Sequence, residues 1–139
     1  MNTFNKRKAS VLILEDNELD MLVLKVLLER HFHLYIVSNG ADAVKAAEEF
    51  DFDIVLADIN LGDPGMDGVK AMKMIRQIKK NAQLKIFAVT AYAENSEYYL
   101  AEGFNEVLTK PVIKEEIFDI LNETYEANKF SEDNLLKKN

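Results

Sequence analysis

The sequence predicts an α/β protein: a five-stranded parallel sheet, doubly wound, with helices on both faces. Five short runs alternate with five stretches of helical periodicity: Val11–Leu14, Leu34–Val37, Asp53–Ala57, Lys85–Thr90 and Glu106–Thr109. The third run, Ile54-Val55-Leu56-Ala57, is apolar without a break, the pattern of a strand covered on both faces. Four of the five runs deliver a group fit for chemistry at their carboxyl ends (Glu15, Asp58, Thr90 and Lys110), at the sheet edge where open α/β folds place ligands. Alternation of this kind implies right-handed crossovers and two helical layers.

Taken in order, residues 1–9 form a polar leader, basic at Lys6, Arg7 and Lys8. Residues 10–127 form the domain, and residues 128–139 a tail in which the pattern is lost. After the first strand, Asp16 or Asn17 is placed to cap a helix whose Leu19, Leu22, Val23, Val26 and Leu27 recur at the spacing of an inward stripe. Asn39-Gly40 reads as a turn, and Ala41–Phe50 as a helix with Ala43, Val44 and Ala47 inward. Gly68–Lys80 is helical, with Val69, Met72, Ile75 and Ile78 on the apolar side and Lys70, Lys73, Lys79 and Lys80 outward. Ser96–Glu102 is a short helix stopped by Gly103. Ile113, Ile117, Ile120, Leu121 and Thr124 give the last helix its stripe.

Composition narrows the function classes. A hydrophobic content of 48% with 29% charged residues is that of an ordinary soluble domain. The formal net charge of −7 argues against unaided binding to nucleic acid or to an anionic membrane. The absence of cysteine excludes disulfides and thiolate metal sites. No run approaches a membrane span and no secretory signal core is visible, so a cytoplasmic location is expected.

The chemistry lies at the strand ends. The first strand delivers Glu15 and Asp16, the third Asp58, the fourth Thr90 and the fifth Lys110. Singly, each has a plainer reading: a helix cap, a turn residue, a solvated lysine. All five at corresponding strand ends point instead to phosphoryl transfer onto Asp58. Crowded carboxylates invite a hard divalent cation, and Mg²⁺ suits an all-oxygen site. A lysine and a hydroxyl can hold further phosphoryl oxygens, and positioning with electrostatics is most of what such a transfer needs. Aspartate is an established phosphoryl nucleophile.

Val11 through Asn17, Ile54 through Gly68, Val89-Thr90-Ala91 and Leu108-Thr109-Lys110-Pro111 resemble the receiver domain of two-component response regulators, in a single-domain, chemotaxis-regulator-like form. The resemblance implies the flavodoxin-like strand order 2-1-3-4-5. It makes Asp58 the phosphoacceptor, Thr90 the switch hydroxyl and Lys110 the phosphate-contacting lysine before a cis bond to Pro111. Mg²⁺ would be held by Asp16, Asp58 and the backbone carbonyl of Asn60, with Glu15 acting through water. It further implies a sensor histidine kinase or phosphotransfer protein as donor. The downstream protein would be met at the face of the fourth helix, fifth strand and fifth helix, because the residues after the domain are too few for an output domain.

The sequence departs from the family's common form in four places. The loop Leu61–Gly68 is about two residues longer, and Thr90–Gly103 shorter by a similar amount. Val107 stands where many members carry an aromatic, and Glu15 where the acid is often Asp. A Mg²⁺-dependent phosphohydrolase would want an acid at position 60, where this chain has Asn60. A receiver-like interaction module that is never phosphorylated is the other alternative, and the five polar groups weigh against it. His31 and His33 fall away from the acidic edge and read as satisfied or solvated. Tyr92, Tyr98 and Tyr99 suit either a partner surface or partial burial.

Overall fold

A computed structural model describes residues 8–62, 65–80 and 83–124. Its strands are β1 (Ser10–Leu14), β2 (His33–Val37), β3 (Ile54–Asp58), β4 (Lys85–Thr90) and β5 (Glu106–Thr109). They pair in parallel in the order β2-β1-β3-β4-β5, the flavodoxin-like arrangement. The helices are α1 (Glu18–Leu28), α2 (Gly40–Glu49), α3 (Gly68–Ile78), α4 (Ser96–Glu102) and α5 (residues 114–124). No helix among the described residues is long and apolar enough to cross a membrane.

Alternation along the strands divides the core into two layers. Leu12, Leu14, Val55, Ala57, Ile86 and Ala88 pack with Ala43, Ala47, Met72, Ile75 and Tyr99, the side of α2, α3 and α4. Val11, Ile13, Ile54, Leu56, Phe87 and Val89 pack with Leu24, Leu28, Ile117 and Leu121, the side of α1 and α5. Both faces are therefore dry along β1, β3 and β4, which is why these strands read as nearly unbroken apolar runs, whereas the edge strands β2 and β5 are only partly covered.

Several boundaries and faces differ from the expectation. Ala9 is buried and its carbonyl accepts from the His33 amide at 2.9 Å, so the sheet's pairing begins one residue inside the expected leader. The 128–139 tail lies outside the described residues. Asn39 and Gly40 form a helix start, not a free turn: the Asn39 side chain accepts from the Asp42 amide and Gly40 is the first residue of α2. On α1 the expected stripe is largely outward, with Leu19, Leu22, Val23 and Val26 exposed and only Leu27 partly buried. The buried residues are Leu24 and Leu28. This helix is apolar on most of its circumference, so periodicity alone does not choose its inner face, and contact with the sheet decides. Ile78 on α3 and Ile113 before α5 are likewise exposed, each beyond the part of its helix that covers the sheet.

At the amino-terminal end of the sheet Arg76 joins four segments. Its guanidinium donates to the carbonyls of Gly103 and Leu84 and to Asn105 Oδ1, and Asn105 exchanges hydrogen bonds with Ile86. Gly103 has φ +129°, a left-handed conformation that glycine accepts at a helix end.

At the other end, α3 begins almost in contact with β3. A Cβ at Gly68 would overlap the carbonyl oxygen of Asp58 and stand 3.0 Å from the Ile59 Cα, and neither backbone atom can rotate away. Gly68→Ala is therefore expected to destabilise the fold by about 1–3 kcal/mol, despite the helix propensity alanine adds. Urea denaturation measures it, and an unchanged or raised midpoint would contradict the close approach.

Candidate functional site

Strand register assembles the site. Leu14 is level with Ala57, so Glu15 and Asp16 follow β1 beside Asp58. Asp58 is level with Val89 and Thr90 with Thr109, so Thr90 and Lys110 complete the row. Glu15 and Asp58 share the alternation of Ile13 and Leu56, which faces α1 and α5. Thr90 shares that of Ile86 and Ala88, which faces α4. All five sequence-predicted side chains thus reach one edge of the sheet. Glu15, Asp58 and Thr90 are buried, 1%, 3% and 0% exposed, whereas Asp16 is open to solvent.

Two buried acids side by side need compensation. Lys110 Nζ supplies it, 3.2 Å from Asp58 Oδ2 and 3.3 Å from Glu15 Oε1. The other Asp58 oxygen, Oδ1, accepts from the Asn60 amide at 3.0 Å. Glu15 Oε2 accepts from the Asn17 amide at 3.1 Å. Burial, with the hydrogen bond and charge of Asp58, pushes the Glu15 carboxyl up from 4.5 to about 7 against the opposing pull of Lys110. For Lys110 burial acts against the ammonium. The hydrogen bond to Asp20 and the charges of Asp58 and Glu15 outweigh it and hold Lys110 above the ordinary lysine range. The Thr90 hydroxyl accepts from the Tyr92 amide at 3.0 Å and lies 3.5 Å from Asn60 Oδ1.

Glu15, Asp16 and Asp58 each offer a carboxylate oxygen within 4.8 Å of the others. An all-oxygen donor set on a cluster rich in negative charge fits a hard divalent cation. Asp16 also accepts from the Gly62 amide at 2.8 Å, which ties the β3–α3 loop to the end of β1. His31 and His33 are exposed and outside this group, His31 packing edge-on against Phe118. Tyr92 and Tyr98 are exposed while Tyr99 is buried. Lys110-Pro111 is cis, as the resemblance implies.

Two concavities bear on the site differently. The larger, about 720 Å³, is an open groove along the free edge of β2, lined by Tyr35, Val37, Asp42 and Lys45 and away from the acids. A small cavity of about 100 Å³ adjoins the cluster, lined by Glu15, Asp20, Val23, Leu24, Lys110 and Pro111. The small one belongs to the site because the charged groups border it. It also exposes a residue that sequence reasoning missed. Asp20 Oδ2 lies 2.9 Å from Lys110 Nζ, nearer than either buried acid. The signal for it was its spacing of four from Leu24 and eight from Leu28, the inner face of α1.

Comparison with known proteins agrees with this geometry. The response regulator receiver domain model matches residues 11–122. The chain is 32% identical over 120 residues to the signal transduction histidine-protein kinase BarA of Escherichia coli K12. That match covers 84% of this chain but only 13% of the kinase. Among solved structures it resembles the receiver domain of the sensor histidine kinase PA1611 from Pseudomonas aeruginosa, which has a magnesium ion coordinated in its active site cleft. There the TM-score is 0.76 and identity 30%, over 84% of this chain and 97% of that one. It also resembles the receiver domain of Saccharomyces cerevisiae Ssk1, solved with the histidine phosphotransfer protein Ypd1. That alignment has a TM-score of 0.71 and 30% identity, over 79% of this chain and 83% of that one. The chain belongs to the response regulator receiver domain family.

Proposed function

We propose that Asp58 accepts a phosphoryl group from the phosphohistidine of a sensor histidine kinase or phosphotransfer protein, and that the modified form switches the binding of a separate protein. The observation that carries this reading is the setting of Asp58, buried at the end of β3 with one oxygen held by a backbone amide and the other by Lys110. In the transfer a carboxylate oxygen of Asp58 bonds to phosphorus, the P–N bond breaks, and the imidazole leaves with the electron pair. Glu15, Asp16, Asp58 and the Asn60 backbone carbonyl are the groups that would hold Mg²⁺, which when bound supplies positive charge against the acids and the incoming oxygens. Lys110 stays beside the reacting oxygen as a fixed cation, and Thr90 offers its hydroxyl to the new acceptor. The receiver acts on itself and not on a separate substrate, in the cytoplasm.

Two faces serve the two partners. The donor side is α1, whose exposed Leu19, Leu22, Val23 and Val26 flank the cleft and offer an apolar surface to a helical donor. Resemblance to the receiver of Ssk1, solved with Ypd1, supports a partner of that class. The response side is α4, β5 and α5, where Tyr98 is exposed on α4 and the exposed Tyr92, before it, donates its amide to the Thr90 hydroxyl. The net charge of −7 supports neither direct nucleic-acid contact nor binding to an anionic membrane.

Three outcomes test this. Asp58→Asn is expected to keep the fold and abolish Mg²⁺-dependent labelling by acetyl phosphate. Labelling of the mutant as strong as that of the wild type would end the assignment. The second outcome concerns pH. Glu15 holds its proton more tightly folded, at about 7, than unfolded, near 4.5. Its contribution favours the fold below pH 4.5 and is lost as pH rises to 7, an upper bound of roughly 3 kcal/mol. In EDTA the melting temperature of wild type should therefore fall relative to Glu15→Gln between pH 5 and 8. Parallel profiles would contradict the raised pKa.

The third outcome concerns the switch. Val107 lies level with Ala88, packs in the α4-side layer, and is β-branched with few rotamers. Thr90→Ala should erase the beryllofluoride-dependent amide shifts over residues 91–104, whereas Val107→Ala should leave them. Equal loss in both variants would place the coupling on Val107.

A further inference from the structure

Lys110 has three carboxylate neighbours, and the nearest belongs to a residue with no assigned role. Its Nζ lies 2.9 Å from Asp20 Oδ2, 3.2 Å from Asp58 Oδ2 and 3.3 Å from Glu15 Oε1. An ammonium has three N–H bonds, so these acids can occupy all of them. Two of the three are buried at the sheet edge and fixed by their own backbone hydrogen bonds. Asp20 comes instead from α1, with its side chain 42% exposed. Its place is set by the fold: Leu24 and Leu28, four and eight residues on, are the buried residues of α1, so the helix docks with Asp20 over the cavity beside Lys110. The Asp20 amide is held in turn by Asn17 Oδ1 at 2.9 Å.

We propose that Asp20 is a positioning residue that divides Lys110 between α1 and the phosphoacceptor, and thereby shortens the life of the phosphorylated state. This rests on the reading of Asp58 as the acceptor. Phosphorylation adds charge and acceptor oxygens beside Lys110, which then serves a stronger anion. Asp20 opposes that in two ways. It holds one of the lysine's three donors, and it places a further negative charge near the phosphoryl group. The unmodified state suffers neither effect to the same degree, so Asp20 favours it, and a difference between two states is what shifts their populations. When the acyl phosphate hydrolyses, water oxygen bonds to phosphorus, the P–O bond to Asp58 breaks with its electron pair left on the carboxylate, inorganic phosphate departs with the water's protons, and the carboxylate returns to the unmodified arrangement with Lys110.

The test has two arms. The first needs no phosphorylation: a double-mutant cycle of Asp20→Asn and Lys110→Met, read by urea denaturation in EDTA. Asp20→Asn should be less favourable to the fold with Lys110 present than in Lys110→Met. An identical effect in both backgrounds would overturn the proposal. In the second arm the protein is labelled with acetyl phosphate and Mg²⁺, the donor is removed, and loss of the label is timed. Asp20→Asn should lengthen the half-life about two- to fivefold, the range of a partly exposed ion pair, and Asp20→Glu, which keeps the charge, should restore a value near wild type. An unchanged half-life with the coupling intact would make the contact merely structural and overturn the proposal. A wild type that takes no label while the coupling persists would overturn the reading of Asp58 as acceptor and leave the Asp20–Lys110 contact standing.

Discussion

One ammonium among carboxylates is the constraint on which the rest of this structure depends. Asp58 and Glu15 are buried together at the end of a dry sheet, where unpaired charge is costly. Lys110 is what makes their burial tolerable, and it reaches them only because β5 lies two places from β3 in the sheet order. The crowded acids make this edge of the sheet negative, a charge that a hard cation would complement. Stability alone favours apolar side chains at such positions, so the burial of two acids marks this edge as a functional-site candidate.

Much of this arrangement is legible in the amino-acid sequence. Strands β4 and β5 and helix α4 fall on the boundaries expected from the sequence, because each is a short segment closed by an unambiguous signal: Thr90, Lys110 with Pro111, or Gly103. The polar strand ends are legible for a related reason. In a sheet dry on both faces, a carboxylate at the end of a run has few structural explanations.

The rest is hidden where local pattern leaves more than one arrangement open. Leucine, valine and methionine surround most of α1, so the 3.6-residue period fits an inward stripe of Leu19, Leu22, Val23 and Val26 as well as the Leu24 and Leu28 face that the sheet selects. That choice is tertiary, and it conceals Asp20: the face assigned inward by pattern turns the residue away from the cleft. The link from Asp16 to the Gly62 amide spans 46 residues of chain and leaves no trace in composition or spacing.

The Arg76 junction gives α4 an unequal footing. The guanidinium sits on the carbonyl of Gly103, where positive charge complements the end of the helix, and the Gly103 amide closes onto Leu100 and Tyr99. At its other end α4 follows a single 3-10 turn, Ala93–Asn95, and Asn95 supplies no side-chain cap. Seven residues make too little helix to persist without such support. The free energy of local opening therefore rises along α4 from Ser96 toward Glu102, and fraying starts at the end beside Thr90. Amide exchange along this helix should be graded, fastest at the edge of the sheet that carries the acids and slowest over the guanidinium.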